Sequence, residues 1–287
     1  MQYNKDNPLR VITLCSGYDS QCLALERLHE DFPDFYYELV AWSEIDENAI
    51  RAHNVLFPQW SDRNLGDMTT IDWAKAPQCD LLVYSVPCTD VSQAGLQKGF
   101  TEGSGTRSSI IWYTRDALKV LKPKYALLEN VAAMVSDKFL PMYNLWANEV
   151  QRLGYVNFAK LLNSKNYGVP QNRERIFLLS IRDDGDMPNY NWPEPMELTR
   201  KLNDMLDNNV DTRFYLNPKR VSDFVKENIV QIEKYTHQDD GEIEQLPDYL
   251  KEWLDNFESS KDDEKEESSE PSAKCPYKEQ EIGFDIS

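Results

Sequence analysis

Cysteine is scarce in this chain: five in 287 residues, at positions 15, 22, 79, 88 and 275, with no Cys-x-x-Cys pair and no regular spacing. That excludes a disulfide framework and leaves no zinc-ligand pattern, so no metal is expected. Thiols used this sparingly suit a reducing cytoplasm. Long apolar runs are absent too, none approaching the ~18 residues of a membrane-spanning helix. The opening "MQYNKDNPLR" lacks the hydrophobic stretch of a signal peptide. Positive charge is in short supply: 31 Lys and Arg stand against 49 Asp and Glu, a net −18. The deficit is uneven. Residues up to Arg182 carry 19 basic against 21 acidic side chains, and the remainder carries 12 against 28. Phosphate-binding surfaces are basic, so the acidic final third is not a simple nucleic-acid grip.

Hydrophobic residues, at 41%, are plentiful enough for a sizeable core. The runs "RVITLCS", "ELVAWSEID", "CDLLVYSVP" and "KYALLENVA" read as strands. Between them, "SQCLALERLHE", "NAIRAHNVLF", "SSIIWYTRDALKVLKP" and "PMYNLWANEVQRLG" carry helical spacing, the last two stopped by Pro123 and Gly154. "VNFAKLLNS" and "RIFLLSIR" read as two strands pairing around a loop. The alternation predicts one α/β domain over residues 1–182: a mostly parallel sheet, helices on both faces, and an antiparallel edge hairpin. Residues 183–258 differ. "MPNYNWPEPMEL" reads as a proline-rich connection, while "TRKLNDMLDNN", "NPKRVSDFVKENIVQIEKY" and "LPDYLKEWLDNF" read as short amphipathic helices suited to docking. Residues 259–287 form an acidic tail; its "SSKDDEKEESSEPSAK" has no apolar side chain but Ala273, and disorder is expected.

In a sheet of this kind the ligand site lies beyond the carboxyl ends of the strands, and the unusual residues gather there. The first strand runs into "LCSGYDSQ", where Gly17 permits a tight turn and a close approach of ligand to backbone. The second ends in "SEID", where Glu44 or Asp46 is placed either to accept from a ribose diol or to cap the next helix. "LGDMT" sets Asp67 to accept from an adenine amino group and Met68 to pack on the ring. The third core strand ends at Pro87–Cys88 in "SVPCTDVSQAG", which puts a thiol in a polar loop rather than in the core. Gly95, Gly99, Gly103 and Gly105 make the next segment either a lid or a plain crossover. "LLENV" places Glu129 and Asn130 at the end of a buried strand, where an acid is suited to proton donation or to an ordinary ion pair. In "YGVPQNRERIFLLS", Gln171, Arg173 and Arg175 alternate. Arg173 and Arg175 are therefore expected to share a face suited to a carbonyl or phosphate oxygen.

Taken in order, these elements resemble the DNA cytosine-5 methyltransferases over about residues 10–182. The Pro-Cys, Glu-Asn-Val and Gln-x-Arg-x-Arg runs together are highly specific. The glycine turn departs from the family's Phe-x-Gly-x-Gly, with Cys15 and Asp19 in the Phe and second Gly places. Thr89 stands where Gln usually follows Pro-Cys. The resemblance implies a Rossmann-like, S-adenosylmethionine-dependent methyltransferase fold with S-adenosyl-L-methionine as methyl donor. Glu44 and Ile45 would hold the ribose, and Asp67 and Met68 the adenine. The turn Leu14, Cys15, Ser16, Gly17, Tyr18 and Asp19, with Pro87, would surround the methionine portion. It implies methyl transfer to carbon 5 of cytosine in DNA through a covalent Cys88 adduct. Glu129 would bond ring nitrogen 3 and the amino group, and Arg175 the carbonyl oxygen at carbon 2. Arg173, Pro87 and Asn130 would complete the catalytic set, with Ser92 and Gln171 contacting DNA.

Such an enzyme is expected in a bacterial or phage-encoded DNA-methylation or restriction–modification system, in the cytoplasm. The family's target-recognition region and its two closing elements are not found in residues 183–287. A second subunit supplying them, docked on the helices at 213–257, is therefore expected. An inactive or regulatory acidic binding protein on the same scaffold, or an RNA cytosine methyltransferase, is the alternative.

Overall fold

The computed structural model describes residues 2–92 and 97–207, with a few further positions up to Arg220. Met1–Leu206 form one compact unit. Its six strands are β1 (Leu9–Leu14), β2 (Tyr37–Ser43), β3 (Leu81–Tyr84), β4 (Tyr125–Val131), β5 (Tyr155–Asn163) and β6 (Glu174–Arg182). They make one sheet in the order β2-β1-β3-β4-β6-β5. Pairings β1–β2, β1–β3 and β3–β4 are parallel. Strand β6 runs antiparallel to both β4 and β5, so the expected edge hairpin is present.

The helices α1 (Ser20–Asp31), α2 (Glu47–Leu56), α3 (Thr114–Leu121) and α4 (Leu140–Arg152) cover both faces. Consecutive residues of a strand point to opposite faces, and the cores divide accordingly. Ile12, Leu14, Leu82, Tyr84, Ala126 and Leu128 pack against Leu118 of α3 and Trp146 of α4. Val11, Leu39 and Val83 pack on the other side against Cys22 of α1 and Phe57, which closes α2. Connections from β1 lead out to β2 on one side, and the chain then returns to β3 on the other. The carboxyl ends of β1 and β3 thus flank the topological switch point, where open α/β sheets bind ligands. Among the described residues no helix is long and apolar enough to cross a membrane.

Two local expectations are corrected. The helix expected over "SSIIWYTRDALKVLKP" begins as a 3₁₀ turn, Arg107–Tyr113, and becomes α-helical only at Thr114. The serines explain it: Ser109 Oγ donates to the Thr106 carbonyl at 2.7 Å and Ser108 Oγ to the Pro87 carbonyl at 2.6 Å. Side chains that bond backbone in this way compete with helix geometry. The helix expected over "TRKLNDMLDNN" is a single 3₁₀ turn, Leu202–Met205. The proline-rich segment before it lies on the hairpin. Tyr190 meets Phe158 at 5.9 Å between ring centroids, and Trp192 meets Phe177 at 6.4 Å. The helices expected at 217–235 and 246–257, and the tail, lie outside the described residues.

Candidate active site

The turn after β1 is left-handed at three alternating positions: Cys15 (φ 51°), Gly17 (φ 59°) and Asp19 (φ 67°). Only one of them is glycine, and the other two each cost about 1–2 kcal/mol in that region. Several contacts hold the shape. Ser16 N–H donates to the Ser43 carbonyl at 3.1 Å, and Asp19 N–H to the Ser16 carbonyl at 2.9 Å. Gly17 N–H donates to Glu44 Oε2 at 2.8 Å. The other oxygen of Glu44 accepts from Ile45 N–H at 2.8 Å and Asp46 N–H at 2.9 Å. Three of the roughly four acceptor positions of this carboxylate are therefore filled by backbone. Asp46 itself caps α2, accepting from Ala49 N–H at 2.9 Å.

Asn64 ties this corner to the next loop. Its Oδ1 accepts from Glu44 N–H at 3.2 Å and from Gly66 N–H at 2.9 Å, while its Nδ2 donates to the Glu44 carbonyl at 3.1 Å. Nothing local in "RNLGD" signals this role; the contact is made across 20 residues. Asp67 is exposed; its Oδ1 accepts from Thr69 N–H and Thr69 Oγ1, at 2.9 and 2.8 Å. The two acidic loops converge on Cys15. Burial, then the charges of Glu44 and Asp67, push its thiol up to about 12.

This turn offers a ligand a definite set of groups. Ser16 Oγ is buried with no hydrogen-bond partner among the described residues. The Tyr18 ring and the Ile45 side chain are left 51% and 69% exposed beside the Gly17–Glu44 bond. Three other expected contacts are not of this kind. Met68 is a core side chain with its Sδ 3.5 Å from Cys15 Sγ. The side chain of Leu14 is buried in the sheet. Asp19 is wholly buried beneath the turn, so its carboxylate is not open to a ligand.

Gln in place of Glu44 keeps the shape but presents an amide N–H₂ to backbone donors. Hydrogen bonds to a charged group contribute about 1.5–3 kcal/mol. E44Q is therefore expected to weaken binding of an adenosyl ligand about 10- to 100-fold in calorimetry, and an unchanged affinity contradicts the assignment of this corner.

The thiol loop is fixed from behind. Cys88 is half-buried, and its carbonyl accepts from Val91 N–H at 3.0 Å and Ser92 N–H at 2.8 Å. Ser108 holds the residues on either side: besides the Pro87 bond, its Oγ accepts from Asp90 N–H at 3.2 Å, and its own N–H donates to Asp90 Oδ2 at 3.2 Å. The returning leg rests on α4, where a Cβ on Gly99 would come within 2.7 Å of Met142 Cε. Gly95, in the segment 93–96, lies outside the described residues. The Ser108 clamp escapes sequence reading because it joins segments 18 residues apart inside an apparent helix.

Strand β4 brings its end to the same place. Asn130 is buried, and its Nδ2 donates to the Val86 carbonyl at 3.0 Å while its Oδ1 accepts from Val131 N–H at 2.9 Å. Both polar atoms of the Asn130 amide are thus engaged by backbone. Its neighbour Glu129 reaches Arg175 of β6, with Oε1 3.0 Å from Nε. The register explains the contact: Val131 faces Arg175 and Glu129 faces Phe177, so Glu129 and Arg175 are diagonal neighbours on one face. Arg175 Nη1 also donates to the Glu174 carbonyl at 2.7 Å, which leaves Nη2 without a partner among the described residues. Arg173 is not brought in. It precedes β6, is exposed, and its side chain makes no hydrogen bond or ion pair among the described residues. Gln171 is exposed and gives its carbonyl to Ser164 Oγ at 2.6 Å. A cleft of about 400 Å³ lies along the 3₁₀ turn, lined by Glu102, Trp112, Tyr113 and Arg115. It is lined by none of the candidate residues, which sit at the strand ends instead.

Comparisons with known proteins give the family and the fold. The family model described as C-5 cytosine-specific DNA methylase matches residues 9–281, continuing well past Arg182. The type II methyltransferase M2.ScrFI of Lactococcus lactis subsp. cremoris is 40% identical over 162 residues, covering 56% of this chain and 44% of the relative. The orphan methyltransferase M.Rho11sI of Bacillus phage rho11s is 32% identical over 259 residues, covering 80% of this chain and 49% of the relative. The chain therefore spans about half the length of these curated relatives. Among solved structures, the Entamoeba histolytica methyltransferase EhMeth superposes with a TM-score of 0.58 at 20% identity, over 77% of this chain and 65% of that one. The S. pombe Dnmt2 methyltransferase gives 0.56 at 19% identity, over 77% and 66%. These likenesses are to the fold. With the family model spanning nearly the whole sequence, the chain belongs to the C-5 cytosine-specific DNA methylase family.

Proposed function

We propose that this chain transfers a methyl group from S-adenosyl-L-methionine to carbon 5 of cytosine in DNA, with Cys88 as covalent nucleophile. The observation that carries the reading is the Asn130–Val86 bond. It joins the strand end bearing Glu129, already paired with Arg175, to the strand end that leads into Pro87–Cys88. Thiol, acid and guanidinium come from three distant segments, and these two contacts support their meeting beyond the carboxyl ends of β3 and β4.

When bound, the donor supplies an electrophilic methyl group on a sulfonium. The protein's part is to hold it and to activate the base. Glu44 and Asp67 suit a ribose hydroxyl and an adenine amino group, Tyr18 and Ile45 suit the apolar faces, and Ser16 Oγ is a free hydroxyl for the remainder. Carbon 5 of cytosine is a poor nucleophile. Addition of the Cys88 thiolate at carbon 6 moves electron density to carbon 5, and Glu129 shares a proton with ring nitrogen 3 and the amino group as charge develops there. Arg175 has donors remaining for the carbonyl oxygen at carbon 2. Loss of the carbon 5 proton then expels the thiolate. In a duplex the base must first leave the stack, at about a few kcal/mol. Ser92 and Gln171 are assigned to contacts with the DNA strand.

Tritium from the labelled donor is expected in cytosine of duplex DNA and not in tRNA. Label confined to tRNA overturns the choice of substrate, and no label in either, with this chain alone and with host extract added, overturns the reading. Bacterial and phage relatives support action in the cytoplasm of a bacterial host. A second subunit for target recognition is also proposed, supported by the acidic, glycine-poor composition of residues 183–287. Site-specific transfer by this chain alone, unchanged by any added protein, removes it.

A further inference from the structure

The side chain at position 19 is in an unusual state for this turn. Its backbone is left-handed (φ 67°, ψ 54°) and its carboxylate is wholly buried. One oxygen, Oδ2, accepts from Thr13 Oγ1 at 2.8 Å and lies 3.5 Å from Nε2 of His53 on α2. The Cys22 thiol of α1 also lies against it. His53 is itself wholly buried and stacked on Trp42, with ring centroids 3.7 Å apart. Oδ1 of Asp19 and Nε2 of His53 have no hydrogen-bond partner among the described residues. No Lys or Arg among the described residues pairs with Asp19. A buried carboxylate without a compensating group is strongly unfavourable, so His53 is the group placed to compensate it. The pair joins the turn after β1 to the last turn of α2, while the Gly17–Glu44 bond joins the same turn to the corner that opens that helix.

We propose that Asp19 and His53 are positioning residues. They form a buried pin that locks the donor turn to α2, so that the left-handed turn is held by a carboxylate where a second glycine would leave it free. The proposal rests on the donor reading of this turn, and its tests separate the two.

His53→Phe keeps a ring on Trp42 and removes the nitrogen. Asp19→Asn keeps the shape and removes the charge. Asp19→Gly supplies backbone freedom without the carboxylate. With thermal midpoints within a few degrees of the parent, each is expected to weaken S-adenosyl-L-methionine binding about tenfold in calorimetry. The Asp19→Asn/His53→Phe double variant is expected to do no worse than either single change. Parental affinity in Asp19→Gly, or single effects that multiply in the double variant, overturns the pin. If the Asp19 variants fail to fold, Thr13→Val carries the test with an expected loss of about threefold, and no loss overturns it. A parent chain that binds no donor refutes the donor reading alone. The pin is then read from amide hydrogen exchange, where exchange at Gly17 is expected to rise in His53→Phe at unchanged global stability. Unchanged exchange there refutes the pin.

Discussion

Cys88→Ala is expected to leave no covalent complex on duplex DNA containing 5-fluorocytosine, and to lower methyl transfer by about 10⁴-fold or more. Fluorine at carbon 5 cannot depart as a proton does, so an adduct formed at carbon 6 persists and is seen as a band resistant to denaturant. The size of the effect follows from the chemistry: without sulfur addition, carbon 5 has no electron density with which to attack the donor. The structure makes the change a clean one. Cys88 is half-buried in a loop whose neighbours Pro87 and Asp90 are held by Ser108, and none of those bonds uses the thiol. Donor affinity is therefore expected to be unchanged. Cys15→Ala serves as the control: that thiol is held at about 12 by burial and by Glu44 and Asp67, so its thiolate is negligible near neutrality. A trapped complex that survives in Cys88→Ala, or vanishes in Cys15→Ala with donor binding intact, refutes the assigned nucleophile.

Glu129→Gln is expected to lower the single-turnover rate by about 10²- to 10⁴-fold, the usual range for losing a general acid–base group, with donor affinity unchanged. Gln preserves size and the contact to Arg175 Nε, now as a hydrogen bond from the guanidinium to a neutral amide oxygen in place of the 3.0 Å ion pair. What disappears is the ability to exchange a proton with ring nitrogen 3. Both side chains are about one-quarter exposed, at 21% and 27%, so the pair contributes modestly to stability and the variant should fold. The covalent trap separates the steps: adduct formation should slow together with methyl transfer, because the proton is needed as the thiolate adds. A rate within threefold of the parent sinks the role of Glu129 and leaves the carboxylate as a mere anchor for Arg175.

Four of the candidate site residues share a property: each lies near the carboxyl end of a strand that the hydrophobic pattern already defined. Gly17, Glu44, Cys88 and Glu129 follow β1, β2, β3 or end β4, so locating the strand located the residue. Arg175, at the amino end of the antiparallel β6, followed from the alternating Gln-x-Arg-x-Arg run instead, and its partner did not. That Glu129 meets it depends on the β4–β6 register, and register is set by packing across the sheet rather than by either segment alone. Arg173 illustrates the converse. Period-two alternation put it on the face of Arg175, yet β6 begins one residue later at Glu174 and Arg173 stays outside.

The sequence by itself determined the α/β class, the edge hairpin and the order of reactive segments, because strand and helix periodicity and special backbone residues are local properties. It also marked Cys88 as a loop thiol, since proline and polar neighbours exclude a core position. Only the tertiary structure decided which of those groups stay exposed and which are buried in supporting contacts. Asp19 is sealed beneath the turn against Thr13 and His53, Met68 fills the core, and Asn130 fastens two strand ends. Those roles rest on contacts between segments far apart in sequence, where burial and hydrogen-bond partners are fixed by the fold as a whole.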